Sequence, residues 1–208
     1  QLFCKRSLTA NGHRTIIRFT QITCCPQPRS EPMPNRLTPR QILDQLVKFP
    51  TVSRDTNLPL IDWVEEYLSE HGVQSHRHVK SDDPSKAALF AHVGPEVGGG
   101  VVLSGHTDVV PTDGQPWSTD PFTVIEKDGK LFGRGTTDMK GFDAMAIWAL
   151  IEAKTRGVTR PLQLALSYDE EVGCTGAPPM IDAMVASRVT PMEARANGGA
   201  AIMDEAHR

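Results

Sequence analysis

Apolar positions recur at helical spacing twice near the start of the organised part of the chain. Ile42, Leu43, Leu46 and Val47 fall on one face of a helix that opens at Thr38, a capping side chain, with Pro39 in its first position. Ile61, Val64 and Leu68 mark a second helix over residues 60–71, and Gly72 stops it. The pattern then shortens to strand-like runs at 73–79, 87–93 and 101–104. Gly98, Gly99 and Gly100 read as a turn, since the run lacks the Lys-Ser/Thr of a phosphate loop and no helical pattern follows it. Residues 122–126 and 130–132 flank Asp128-Gly129, a hairpin signal. Residues 139–154 are rich in Ala and read as a helix. Residues 162–167, apolar and bounded by Pro161, read as a buried strand. A last helix fits 177–186, with Pro178 and Pro179 in its first turn. Strands and helices alternate throughout, which predicts an α/β domain with a mixed sheet flanked by helices.

Composition narrows the function classes. The 208 residues carry 22 Lys+Arg against 25 Asp+Glu, a formal net charge of −3, with 39% hydrophobic and 23% charged residues. No basic excess favours nucleic acid as a partner, and no apolar run approaches the roughly 18 residues that span a bilayer. Cys4, Cys24, Cys25 and Cys174 form no CxxC pair, so the cysteines predict neither a zinc ribbon nor a disulfide scaffold. A reducing, cytoplasmic setting is the expectation.

The charge is unevenly spread. Residues 1–32 hold Lys5, Arg6, Arg14, Arg18 and Arg29 against Glu31 alone, and show no sustained period. They are expected to be an upstream or disordered segment, with an organelle presequence as the alternative. The body, 33–187, is therefore acidic, and 188–208 form a tail without recognisable pattern.

Three segments that follow predicted strands carry candidate chemistry. Ser104-Gly105-His106-Thr107-Asp108 places a histidine and an aspartate at spacing two, where one can ligate a metal and the other hold the imidazole. A strand-end histidine satisfied by hydrogen bonds is the bland alternative. Gly133-Arg134-Gly135-Thr136-Thr137-Asp138 delivers Asp138 at the start of the next helix, as an N-cap or as a carboxylate offered to a cation. Asp169-Glu170-Glu171 sets three carboxylates at the end of a buried strand, where they repel unless a cation or proton compensates. Cys174 reads as a small packed residue, since no basic group adjoins it. His76 and His78 read as solvent-facing strand positions, and Trp63, Trp117 and Trp148 as core or site-wall packing. Taken together, a histidine and several carboxylates from different elements suit a pair of ions such as Zn²⁺ or Co²⁺.

Four blocks then carry a resemblance: 105–111 (Gly-His-Thr-Asp-Val-Val-Pro), Trp117 with Asp120-Pro121-Phe122, 133–141 ending Asp138-Met139-Lys140-Gly141, and 169–174 (Asp-Glu-Glu-Val-Gly-Cys). In this order they resemble the di-zinc metallopeptidase family of deacetylases, desuccinylases and aminoacylases. The 114–117 and 167–174 segments are most similar to its acetylornithine deacetylase branch. The resemblance implies that His106 ligates one metal, Asp138 bridges both and Glu171 ligates the second. It further implies that Asp108 orients His106 and that Glu170 is the general base. The implied reaction is hydrolysis of an N-acyl amino acid by a dimeric enzyme with two divalent ions. A related acyl-amino-acid or dipeptide hydrolase, or an inactive metal-binding fragment, is the alternative.

The resemblance also implies a further carboxylate and a late histidine, and neither is recognisable. Glu193, Asp204, Glu205 and His207 match no family position. The dimerisation domain of such enzymes is missing as well. The expectation is an amino-terminal, incomplete portion of the catalytic domain, with little or no turnover by itself.

Overall fold

A computed structural model describes residues 36–187. The flanking stretches read above as a basic segment, 1–32, and a tail, 188–208, lie outside the described residues. In chain order the elements are α1 (Pro39–Lys48), α2 (Leu58–Glu70), β1 (Ser75–Val79), β2 (Ala87–Val93), β3 (Val101–His106), β4 (Ile125–Lys127), β5 (Lys130–Phe132), α3 (Lys140–Arg156), β6 (Leu162–Ser167) and α4 (Ala177–Ala186).

Local chemistry accounts for the first element. Thr38 and Gln41 form a capping box, Pro39 opens the helix, and Ile42, Leu43, Leu46 and Val47 are its buried face. The ammonium of Lys140, itself fully buried, donates to the carbonyls of Leu46 (3.0 Å) and Phe49 (2.7 Å). A cation thus meets the negative end of α1 and ties it to the start of α3.

The main sheet has the order β1-β2-β6-β3. β1 and β6 both pair antiparallel with β2, while β3 runs parallel to β6, so the sheet is mixed. β4 and β5 form the separate hairpin. Alternation along β2 decides the layering. Ala87, Leu89, Ala91 and Val93 face a core shared with α1, α2 and α3, whereas Ala88 and Phe90 face a smaller cluster with Met180 and Met184 of α4. Helices therefore cover both faces of the sheet, and Tyr168 closes the smaller cluster.

The differences from the sequence reading are at the ends of elements. β3 extends to His106, two residues beyond the expected run, because its pairing with β6 continues through His106↔Ser167. Val73 is buried but precedes β1, and residues 122–124 do not join the hairpin.

Leu150 is fully buried where α3 packs into the larger core. Leu150→Ala is expected to cost about 2–5 kcal/mol, and Thr38→Ala about 1 kcal/mol, in urea unfolding followed by circular dichroism.

Candidate metal centre

Strand register brings the candidate residues together. β3 and β6 are parallel neighbours whose last pair is His106↔Ser167, so His106 and the segment after Ser167 leave the sheet at the same level. Ligand-binding groups of open α/β sheets gather at such carboxyl ends. His106 is buried, and its Nε2 lies 3.1 Å from Asp138 Oδ1 and 3.6 Å from Glu170 Oε2. Ligand atoms of His106, Glu170 and Glu171 lie within 4.8 Å of one another. Asp138 stands outside that group of three, with a side chain 71% exposed, although it meets His106 directly.

Asp138 does not cap α3. The helix starts at Lys140 with Met139 at the N-cap, and the Asp138 carboxylate stands outside it, lining a cavity. That cavity, about 230 Å³, is lined by Val110, the 133–138 segment and Glu171.

Asp108 does more than adjoin the histidine. Its carboxylate is buried and accepts from the backbone N–H groups of Glu170 (3.0 Å) and Glu171 (3.2 Å) and from the Ser53 hydroxyl (2.7 Å). His106 Nδ1 lies 3.0 Å from the Asp108 carbonyl and 3.5 Å from its carboxylate. Asp108 therefore holds the imidazole first through its backbone, and uses its side chain to hold the two glutamates.

The three adjacent carboxylates do not share one site. Asp169 turns inward with φ of 56°, away from the glutamates' cavity, and is buried between Lys80 (3.0 Å) and Lys86 (3.3 Å). Lys86 also donates to the Ser53 carbonyl (2.6 Å), which closes a ring from Asp169 through Lys86 and Ser53 to Asp108 and back to the segment 170–171. Asn57 braces the same region, bonding both the N–H and C=O of Ala87 and the hydroxyl of Thr107. Sequence reasoning missed Ser53, Asn57, Lys80 and Lys86. The one available signal was a lysine, Lys86, abutting the apolar run 87–91, where an unpaired charge would be costly.

The electrostatics suit a cation. Burial alone would raise the Asp108 carboxyl, but hydrogen bonds from His106, Ser53 and the Glu170 N–H hold it at about 2. Burial likewise opposes charging of His106, yet Asp108, Asp138 and Glu170 lift it to about 9. Glu171 is raised, first by burial and then by the Asp138 charge. Burial, with Glu170 next, raises the Cys174 thiol, whose Sγ lies 3.4 Å from Glu170 Oε1, so it is an inert thiol rather than a nucleophile. One imidazole among several carboxylates is a donor set that could hold a divalent ion, and His106, Glu170 and Glu171 are the group whose ligand atoms lie close enough together. Of the other histidines, His76 stacks on Phe90 at 5.2 Å, and neither His76 nor His78 joins a metal-competent group among the described residues.

Comparison with known proteins identifies the family. The profile of peptidase family M20/M25/M40 matches residues 102–205. The chain belongs to that family. Acetylornithine deacetylases of Proteus mirabilis and Pasteurella multocida are each 38% identical to it over 143 residues, 66% of this chain and 37% of theirs. The chain thus spans 37% of the length of these relatives. Among solved structures, human carnosine dipeptidase 1 is similar with a TM-score of 0.58 and 26% identity, over 70% of this chain and 35% of that one. An M20 family metallo-carboxypeptidase from Sulfolobus solfataricus shares the fold with a TM-score of 0.64 at 17% identity, over 75% and 36%. No helix among the described residues is long and apolar enough to cross a membrane.

Two outcomes follow from the buried charges. Lys86→Met leaves the buried Asp169 with Lys80 as its one cationic partner and is expected to cost about 3–5 kcal/mol in urea unfolding. In metal-free protein the folded His106 pKa of about 9 exceeds its ordinary value of 6.5. Its contribution to stability is then complete below about pH 6.5 and is lost as pH rises through 9. Lys140, which burial lowers to about 7 against the pull of Asp143 and Asp108, acts in the opposite sense. The excess of wild-type stability over His106→Gln, measured in urea with chelator, is therefore expected to shrink between pH 6.5 and 9.

Proposed function

We propose that this chain forms the first part of a two-metal amide hydrolase of the acetylornithine deacetylase type, cleaving N-acetylornithine to ornithine and acetate. The observation that carries the reading is the buried His106 facing Asp138 and Glu170, with Glu171 in the same cluster. The 38% identity to acetylornithine deacetylases favours this substrate over others of the family. His106 and Glu171 would hold separate ions, Zn²⁺ or Co²⁺, with Asp138 between them. Such ions, when bound, polarise the acyl carbonyl and acidify the attacking water.

The chain's own residues supply the rest. Glu170, half-buried and 3.6 Å from His106, is set as the base that removes the proton of the attacking water. The water oxygen bonds to the acyl carbon, the carbon–nitrogen bond breaks, and Glu170 returns the proton to the departing amine. Cys174 and the backbone bond to Asp108 hold Glu170 in place. The likeness to carnosine dipeptidase 1 supports a dipeptide substrate as the second reading. Dimerisation and a cytoplasmic setting complete the proposal.

Titration with Co²⁺ is expected to give visible absorption from the 208-residue chain that His106→Ala and Glu171→Ala remove. Absence of Co²⁺ binding would overturn the reading. Little turnover is expected from this chain alone. In a protein that carries the remaining length of the relatives, Glu170→Gln is expected to lower kcat for N-acetylornithine by about 10²–10⁴-fold with metal content unchanged.

A further inference from the structure

An extended strand sends successive side chains to opposite faces, so a strand carried on through 169–171 would part Glu170 from Glu171. The segment does otherwise. Asp169 takes the left-handed region, with φ of 56°, and the alternation is broken there. Glu170 and Glu171 come to the same side, where ligand atoms of both and of His106 lie within 4.8 Å of one another. Asp169 meets Lys80 and Lys86 instead. The convergence of two adjacent glutamates thus depends on a turn at the residue before them, in a conformation that is costly for any residue bearing a Cβ.

That turn is gripped from a single hairpin. Residues 80–86 join β1 to β2, and the Lys80 amide donates to the Lys86 carbonyl (2.9 Å) at the base of the connection. Both ammonium groups reach the same carboxylate. Lys80 donates to Asp169 Oδ2 at 3.0 Å, and Lys86 stands 3.3 Å from Oδ1, which receives no directed hydrogen bond and is held by charge. The Thr175 amide closes the other side of the turn on the Asp169 carbonyl (3.3 Å). Neither lysine bonds to His106, Asp138, Glu170 or Glu171. The Lys86 side chain is enclosed, whereas that of Lys80 is 23% exposed.

We propose that Lys80 and Lys86 are positioning residues of the metal centre, holding the Asp169 turn that aims Glu170 and Glu171 together at His106. This rests on the two-metal reading above. Asp108 holds the two glutamates by their amides, and the lysines hold the residue before them by its side chain. With one lysine gone, the Asp169 carboxylate loses half its grip and the turn relaxes toward extended backbone. Alternation then draws Glu170 and Glu171 to opposite sides. Charge alone predicts the opposite sign. A lysine near the ions repels them, so its removal would tighten metal binding. Positioning requires that binding weaken.

The test uses Lys80, whose partial exposure lets the fold tolerate a change, and titrates the 208-residue chain with Co²⁺. Lys80→Met is expected to weaken Co²⁺ binding about 10–100-fold and to alter the visible absorption of the bound ion. Lys80→Arg is expected to recover most of both. Hydrogen exchange of the metal-free chain, followed by ¹H–¹⁵N NMR, supplies a second readout. In Lys80→Met the Glu170 and Glu171 amides are expected to lose protection while those of Leu164 and Leu166 in β6 keep theirs. Unchanged or tighter Co²⁺ binding by Lys80→Met would overturn the proposal, as would wild-type protection at Glu170 and Glu171. Protection lost equally along β6 would mark a purely structural role and overturn it too. Failure of the wild type to bind Co²⁺ would instead strike the hydrolase reading, while exchange in the metal-free chain still decides whether the lysines hold the turn.

Discussion

The buried carboxylate of Asp108 is the fixed point of the site. With relative exposure of 1% it cannot be left unpaired, and it is satisfied by groups that belong to three segments: the Ser53 hydroxyl, the Glu170 and Glu171 amides, and the imidazole of His106. Each of these bonds lowers the cost of burying the charge. In return the charge fixes where the two glutamates begin and how the imidazole is turned. Burial and hydrogen bonding oppose one another in its pKa, and the bonds win, which keeps it ionised and binding at neutral pH.

Around that point the charges are sorted by direction. Asp169 is drawn inward to Lys80 and Lys86, while its two neighbours stand beside His106. A run of three carboxylates is thereby divided into one anion paired with lysines and two that cluster with the imidazole. Further down, Asp143 is buried beside Lys140 and Gly105, and burial pushes its carboxyl well above the ordinary range. A Cβ on Gly105 would come 1.9 Å from Asp143 Oδ1, so the glycine in the Gly105-His106 step is there because the helix carries a side chain against the strand.

Much of this was legible in the sequence, for physical reasons that differ by element. α1 announced itself because Thr38, Pro39 and four apolar residues agree on one helix, and each of the ten elements among the described residues overlaps a segment that periodicity or turn chemistry marks. Their ends were less legible, since β3 is prolonged by pairing with a strand far away in the chain. His106, Asp138, Glu170 and Glu171 stood out as metal-loving residue types behind strands. Ser53, Asn57 and Lys86 did not, because a serine, an asparagine or a lysine acquires its role only from what the fold puts beside it.

The parallel register of β3 and β6 has a consequence for how such a site tolerates change. His106 and the acidic pair are level because His106 faces Ser167 across the sheet, whatever the length of chain between them. The hairpin β4–β5, the 111–117 turn and α3 all lie within that excursion. Residues inserted there enlarge a loop and leave His106 level with the glutamates, although Asp138, within the same excursion, is placed by its own segment, whereas one residue added within 162–167 would displace the glutamates by about 3.3 Å and reverse the faces of the strand. The spacing of His106 from the acidic pair is therefore stored in hydrogen bonds between strands rather than in the length of the chain between them.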